Sequence, residues 1–346
     1  MVCYPVTDYP LGVVASWEPT QEGSGEPSPE NIRPISGRNS VKVERCGENL
    51  LNPKENAYVT YTPYGLTIAY IGDNKVHLSG TYQEYGGSFV ILNTQQKLLA
   101  GKGLKITGFT VEGTKQKYTL YGLRTKDETV IAMQAQFAKG DVIDMTVAVV
   151  VSGSYAPTTY TPYTGQTVTL TLPSTIYGGT VDTVTGEGQE TWKLVTLDGT
   201  EMWIRQDNAT SSYSCNIKPA ANSLTNCLCS MLPWKMYAYA TKGNEGYFAF
   251  ESSGERVRFC TTETWETVDA WKSYLAAQYA AGTPVQVAYK LATPTPITAT
   301  GAQPLPALAG VNTVLTDADS VTVTGRADPI KRITDLEDAV ASMTNT

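Results

Sequence analysis

The chain has little of what proton chemistry near neutral pH requires. It carries one histidine, His77, in 346 residues, and enzymes working at that pH usually rely on histidine or paired acids. Positive charge is also scarce. Twenty-six Lys and Arg face 33 Asp and Glu, a formal net charge of −7, so no basic stripe is available to neutralise phosphates and nucleic acid is not an expected partner. No apolar run approaches the roughly 18–20 residues needed to cross a bilayer, which argues against membrane insertion. The opening Met1-Val2-Cys3-Tyr4-Pro5-Val6 has neither a basic nor an apolar stretch. No secretory leader is therefore expected, and folding in a cytoplasm is. The six cysteines are then expected to be thiols. Cys227-Leu228-Cys229 lacks the spacing of a zinc knuckle, and no metal or cofactor is expected.

What the chain has in quantity is β-forming and aromatic. Twenty-one Tyr against six Phe give many rings with a polar tip, suited to pleated, half-buried surfaces. Hydrophobic residues at 41% and charged residues at 17% describe a globular chain, not a disordered one. The length suits two or three domains.

The patterning predicts a mainly β fold: two tandem β-sandwich domains of jelly-roll type, an extended N-terminal arm and a short C-terminal helix. Residues 1–47 read as the arm, because 17–30 are rich in Gly, Pro, Ser and Glu and favour extended backbone. A disordered leader is the alternative. Residues 48–172 read as the first sandwich. Short β-like runs recur there, and Ile143, Met145, Val147 and Val149 alternate at the period of a strand with one buried face. Residues 173–325 read as a second β-rich domain with one helix near 267–281. Thr267 caps that helix, Asp269 favours its first turn, Val268, Trp271 and Leu275 line one face, and Gly282 and Pro284 end it. In the last segment, 326–346, Ile333, Leu336, Val340 and Met343 step by 3, 4 and 3 as in a coiled coil. Two heptads are too short to stand alone. They read as the seam of an oligomer, with three chains as the first expectation, or as a surface helix packed on its own domain.

No motif of hydrolytic, nucleotide-binding or metalloprotease chemistry is present. His77 lies in a strand-like run, Lys75-Val76-His77-Leu78-Ser79. A glycosidase needs only two carboxylates. Asp182, Glu187 and Glu190 are candidates, although their Gly-rich surroundings read first as turns. Sugar binding is better served by tyrosine and tryptophan, whose rings stack on C–H faces while polar neighbours bond the hydroxyls. Two clusters qualify: Tyr82 and Tyr85 with Gln83 and Glu84, and Trp234, Tyr237 and Tyr239 with Asn244. Filling a core or a subunit interface is the other role open to these rings. The tetrapeptide Tyr61-Thr62-Pro63-Tyr64 recurs as Tyr160-Thr161-Pro162-Tyr163, without a fixed-period repeat around it.

Several segments together resemble tail and baseplate proteins of phages and prophages of Gram-positive bacteria. They include Gly12-Val13-Val14-Ala15-Ser16-Trp17-Glu18-Pro19, Cys46-Gly47-Glu48-Asn49-Leu50-Leu51, Tyr177-Gly178-Gly179-Thr180-Val181-Asp182 and Val195-Thr196-Leu197-Asp198-Gly199-Thr200-Glu201-Met202-Trp203. Similar signatures span 31–37, 163–170 and 291–294. All are features of turns and strands. The resemblance implies a non-enzymatic virion protein of the tail tip, upper baseplate or fibre. Such proteins are assembled in the host cytoplasm as homotrimers of carbohydrate-binding-like sandwiches and join other tail proteins through the N-terminal arm. The expected partners are thus copies of the chain itself, other tail proteins and a host-surface glycan. A purely architectural head, neck or baseplate fibre and a wall-polysaccharide depolymerase are the alternatives.

Overall fold

The computed structural model describes residues 12–58, 62–96, 104–113, 117–124, 129–153, 156–207, 211–217, 227–235, 245–250, 256–263, 265–305 and 312–324. The fold is mainly β, as the alternation implied, and its one α-helix among the described residues is Val268–Ala280. No helix there is long and apolar enough to cross a membrane.

The first sandwich pairs two four-stranded antiparallel sheets. One orders the strands Tyr118–Arg124, Thr129–Ala135, Ser88–Thr94 and Asn56–Tyr58; the other orders Leu66–Gly72, Lys75–Thr81, Val142–Ser152 and Lys105–Gly113. Ile143, Met145, Val147, Val149 and Val151 all enter the core between them, with Ile68, Leu78, Ile91 and Met133. Each such side chain contributes about 1.5–3 kcal/mol on burial. The hairpin Leu66–Gly72/Lys75–Thr81 closes through Asp73 and Asn74, both at positive φ (48° and 59°). Asp and Asn tolerate that left-handed backbone, which matches the twist of the strands it joins.

The rest of the chain is built on a six-stranded sheet ordered Cys227–Cys229, Val285–Thr298, Glu187–Leu197, Gly178–Asp182, Gly12–Trp17 and Ser320–Thr324. A three-stranded sheet of Gly165–Ile176, Arg38–Cys46 and Thr313–Thr316 shares one core with it, through Val13, Ala15, Trp17, Val41, Val43, Val168, Leu170 and Val181. A second core lies against the helix and a sheet of Ile204–Asp207, Ser212–Asn216, Arg256–Cys260 and Tyr247–Phe250. Trp271, Tyr213, Phe248, Phe259 and Tyr289 are buried in it. The helix has the signals read from sequence. The Thr267 hydroxyl accepts from the Ala270 N–H at 3.1 Å, and Trp271 and Leu275 are its buried residues. The Thr283 N–H reaches back to the Gln278 carbonyl across Gly282, which sits at φ +79°, a glycine-terminated C-cap.

This pairing redraws the expected boundaries. Residues 12–21 and 35–46 are largely extended, as expected of an arm, but they are hydrogen-bonded into the body. Gly12–Trp17 lies between Gly178–Asp182 and Ser320–Thr324, and Arg38–Cys46 lies between Gly165–Ile176 and Thr313–Thr316. The first sandwich is therefore an insertion between two paired strands, with Cys46 opposite Gly165 at its root. The strand Gly165–Ile176, expected to belong to that sandwich, belongs to the second unit. The pattern of one strand reveals that it has a partner, not which one, and these partners stand more than a hundred residues apart.

The Gly/Pro-rich stretch between the two N-terminal strands is folded around Arg33. The Arg33 guanidinium donates to the carbonyls of Glu22, Gly23 and Gly25 at 2.9, 3.2 and 2.7 Å. Asn31 adds bonds to the carbonyls of Ser24 and Glu26. The Arg33 N–H donates to the Ser230 carbonyl and the Tyr274 hydroxyl to the Pro29 carbonyl, which fixes the loop to the helix-bearing half. A charged donor shared by several carbonyls supplies the order that an apolar core would otherwise provide.

Two outcomes follow from this arrangement. Deleting residues 1–17 removes Val13, Ala15 and Trp17 from the core and abolishes cooperative unfolding in circular-dichroism melts; a detachable arm would leave the melt unchanged. Arg33→Ala costs about 1–3 kcal/mol and opens the loop to proteolysis within 22–31, read by mass mapping of limited digests.

Candidate functional site

The turn between the strands Lys75–Thr81 and Ser88–Thr94 contains the first aromatic cluster, and burial divides its members. Tyr82, expected to contact ligand, is 0% exposed. Its hydroxyl accepts from the Gly87 N–H at 2.7 Å, and its N–H donates to the Asp141 carbonyl at 2.9 Å. Its ring packs edge-on against Phe137 at 5.4 Å and Tyr64 at 6.1 Å between centroids. Tyr82 is a strut, and its assignment as a contact residue is corrected. Its phenol is buried because a hydroxyl that finds a backbone partner loses little on leaving water.

Tyr85 stands at the tip of the same turn and is 80% exposed. Gln83, Glu84 and Gly86 beside it are exposed as well. The structure adds Tyr64, which the sequence reading had placed only within a recurring tetrapeptide. Tyr64 is 37% exposed and holds a left-handed backbone (φ 52°, ψ 32°). Its carbonyl accepts from the Gln83 N–H at 2.8 Å. Gly87 lets the ring lie close, since a Cβ there would come within 2.4 Å of it. A bulky residue in this backbone region is uncommon and persists where surroundings impose it, as at ligand sites. The sequence signal that could have exposed it is Pro63-Tyr64-Gly65, a turn that holds an aromatic ring outside any strand. Tyr85, Gln83 and Glu84 are thus exposed on this turn, and part-exposed Tyr64 packs against its base.

Of the second cluster, Trp234 alone lies among the described residues. Trp234 is partly buried, packs on the helix-side core and bridges in parallel to Phe248. Tyr237, Tyr239 and Asn244 lie outside the described residues, as do Ile333, Leu336, Val340 and Met343 of the expected seam.

Of the remaining chemical candidates, Glu187 is exposed, and the others have structural partners. His77 faces the Thr146 hydroxyl through Nδ1 at 3.2 Å and Asp144 through Nε2 at 3.3 Å. Thr146 is 1% exposed, which closes its hydroxyl to a substrate. Asp182 accepts from the N–H groups of Val184 and Thr185 at 2.7 and 3.0 Å as a turn residue. Glu190 is buried and pairs with Lys193 at 3.4 Å. Burial pushes the thiols of Cys46, Cys215 and Cys227 far above their ordinary range and that of Cys229 up to about 12, so none is a thiolate nucleophile at neutral pH. Among the described residues, no group of three or more His, Cys, Asp or Glu is placed to hold a metal ion.

The strut and the surface residue separate by mutation. Tyr82→Phe leaves the Gly87 N–H without its acceptor and costs about 1–3 kcal/mol, whereas Tyr85→Ala changes stability by less than about 0.5 kcal/mol. Urea denaturation of the two variants measures both.

Comparison with protein-family models, curated proteins and solved structures returned no match for this chain.

Proposed function

We propose that this chain is a structural protein of a phage tail, in a fibre, the baseplate or the tail tip, and that it attaches the particle to host-surface glycan. The observation that carries the reading is exposed Tyr85 at the tip of a turn whose Tyr82 and Gly87 pack against part-exposed Tyr64. Rings offered this way suit the C–H faces of sugars, while Gln83 and Glu84 can bond hydroxyls. The sequence resemblance to tail proteins supports the virion setting, with assembly in a bacterial cytoplasm and a homotrimer joined to other tail proteins. A single shallow tyrosine surface binds weakly. Several copies on one particle convert weak sites into firm attachment, because each later contact forms at high effective concentration. Contact with a tail partner, first expected of a free arm, falls in this reading to the surface of the ordered loop around Arg33.

Glycan-array binding by the purified full-length protein tests the reading. Host wall polymers are bound, and Tyr85→Ala weakens each site roughly tenfold, equivalent to about 1.4 kcal/mol. Silence against every wall polymer by a folded oligomer would transfer the protein to a purely architectural role. Time-dependent release of reducing sugar would instead make it a depolymerase.

A further inference from the structure

Away from the tyrosine turn, a cavity of about 170 Å³ lies where the N-terminal strand meets the turn before Ser320–Thr324. Trp17, Glu18, Thr20, Ser36, Arg38 and Asp319 line it, so its walls come from both ends of the sequence. At roughly 30 Å³ per water the space equals five or six waters, below the ~300 Å³ at which pockets for drug-sized ligands begin. It has room for one small ring.

The wall groups are held but not saturated. The Trp17 indole N–H is fixed to the Ile176 carbonyl at 3.0 Å. One Asp319 oxygen, Oδ2, accepts from the Glu18 N–H at 2.8 Å. The other, Oδ1, stands 3.7 Å from Arg38 Nη2, and Asp317 Oδ1 stands 3.7 Å from Nη1. Both distances exceed hydrogen-bond length, and the Arg38 guanidinium makes no hydrogen bond to any described residue. Asp317 is already engaged, because its Oδ1 accepts from the Lys42 N–H at 2.9 Å. What remains accessible is a planar set of donors beside one carboxylate acceptor, both part-exposed, above the buried Trp17.

We infer that this cavity is a second carbohydrate site that takes one uncharged terminal sugar by two adjacent hydroxyls, one accepting from Arg38 and its neighbour donating to Asp319 Oδ1. The guanidinium fork supplies directed donors and the carboxylate a strong acceptor, while Trp17, 2% exposed, supports the cavity floor from within the core and offers no stacking face. Charge selects a neutral ligand. Glu18, Asp317 and Asp319 outnumber Arg38 and Lys290 around the cavity, Lys290 being paired with Glu18 at 3.6 Å. The inference rests on the carbohydrate-attachment reading but uses none of the tyrosine-turn residues. Since the ligand would bridge the N-terminal strand and the C-terminal turn in the folded state alone, binding also raises thermal stability.

The test titrates the full-length protein with neutral methyl glycosides of glucose, galactose and N-acetylglucosamine, and with methyl glucuronide. Saturation-transfer NMR and thermal shift are read in parallel. At least one neutral glycoside binds, the glucuronide binds more weakly, and Arg38→Ala and Asp319→Asn each weaken binding more than tenfold, with Tyr85→Ala unchanged. Arg38→Lys keeps the charge but loses the fork, so it shows the same loss should Arg38→Ala fail to fold. Binding that survives Arg38→Lys and Asp319→Asn in folded protein overturns the site, as does absence of binding by every glycoside at millimolar concentration. Loss in Tyr85→Ala alone overturns this site and leaves the tyrosine turn standing. Loss in the Arg38 variants, with wall-polymer binding by Tyr85→Ala at the wild-type level, removes the tyrosine reading and leaves this one.

Discussion

The constraint on which the rest depends is the insertion of Gly12–Trp17 between Gly178–Asp182 and Ser320–Thr324. A strand with neighbours on both sides has its backbone groups satisfied by the sheet, and its Val13, Ala15 and Trp17 side chains are buried at the same time. Strands drawn from early, middle and late in the sequence are thereby committed to one sheet. Contacts of such sequence separation carry a large closure entropy, so the cores they enclose must form together. Rigidity at that sheet is what gives a small cavity fixed walls and what holds the Arg33 loop against the body.

The junction with the inserted sandwich is polar, which is unusual for a buried position. The Tyr163 hydroxyl donates to Glu44 Oε1 at 2.5 Å, and burial beside that carboxylate pushes the phenol far above its ordinary range. Arg45 donates to the Asn312 side chain and to the Leu305 carbonyl, both at 2.8 Å. The Asn49 amide joins the carbonyls of Val149 and Thr161, and its oxygen accepts from the N–H groups of Leu51 and Val151. Such a network tolerates few alternative arrangements, because each missing partner leaves a buried group unsatisfied. It suits a joint that must fix the angle of a projecting module. An apolar joint of the same area would permit sliding.

Both candidate binding surfaces rely on side chains held by groups that never meet ligand. Tyr64 keeps its left-handed backbone over Gly87 and Tyr82, and Trp17 keeps its ring through the Ile176 carbonyl. Preorganisation of this kind reduces the entropy lost when a weak ligand binds. Weak sites on rigid supports are well suited to repeated polymers, where copy number supplies the avidity.

Local rules sufficed for much of this protein. The alternation of Ile143, Met145, Val147 and Val149 announced a strand, although Thr146, Ala148, Val150 and Ser152 on its other face are buried as well, and Thr267 with Gly282 bounded the helix, because hydrophobic period and capping depend on neighbours a few residues away. The sequence also marked the turn carrying Tyr85. It could not tell Tyr82 from Tyr85, since both are tyrosines in one short turn and only the Gly87 N–H and the Phe137 ring decide which is enclosed. The Gly/Pro-rich run read as an extended arm for a similar reason, as the Arg33 donors that fold it act across about ten residues. The interleaving of the N-terminal strands with the body, and the cavity between Trp17, Arg38 and Asp319, were decided by tertiary structure alone. Each joins residues hundreds of positions apart, and strand patterning encodes which face is buried without naming the strand that will lie beside it.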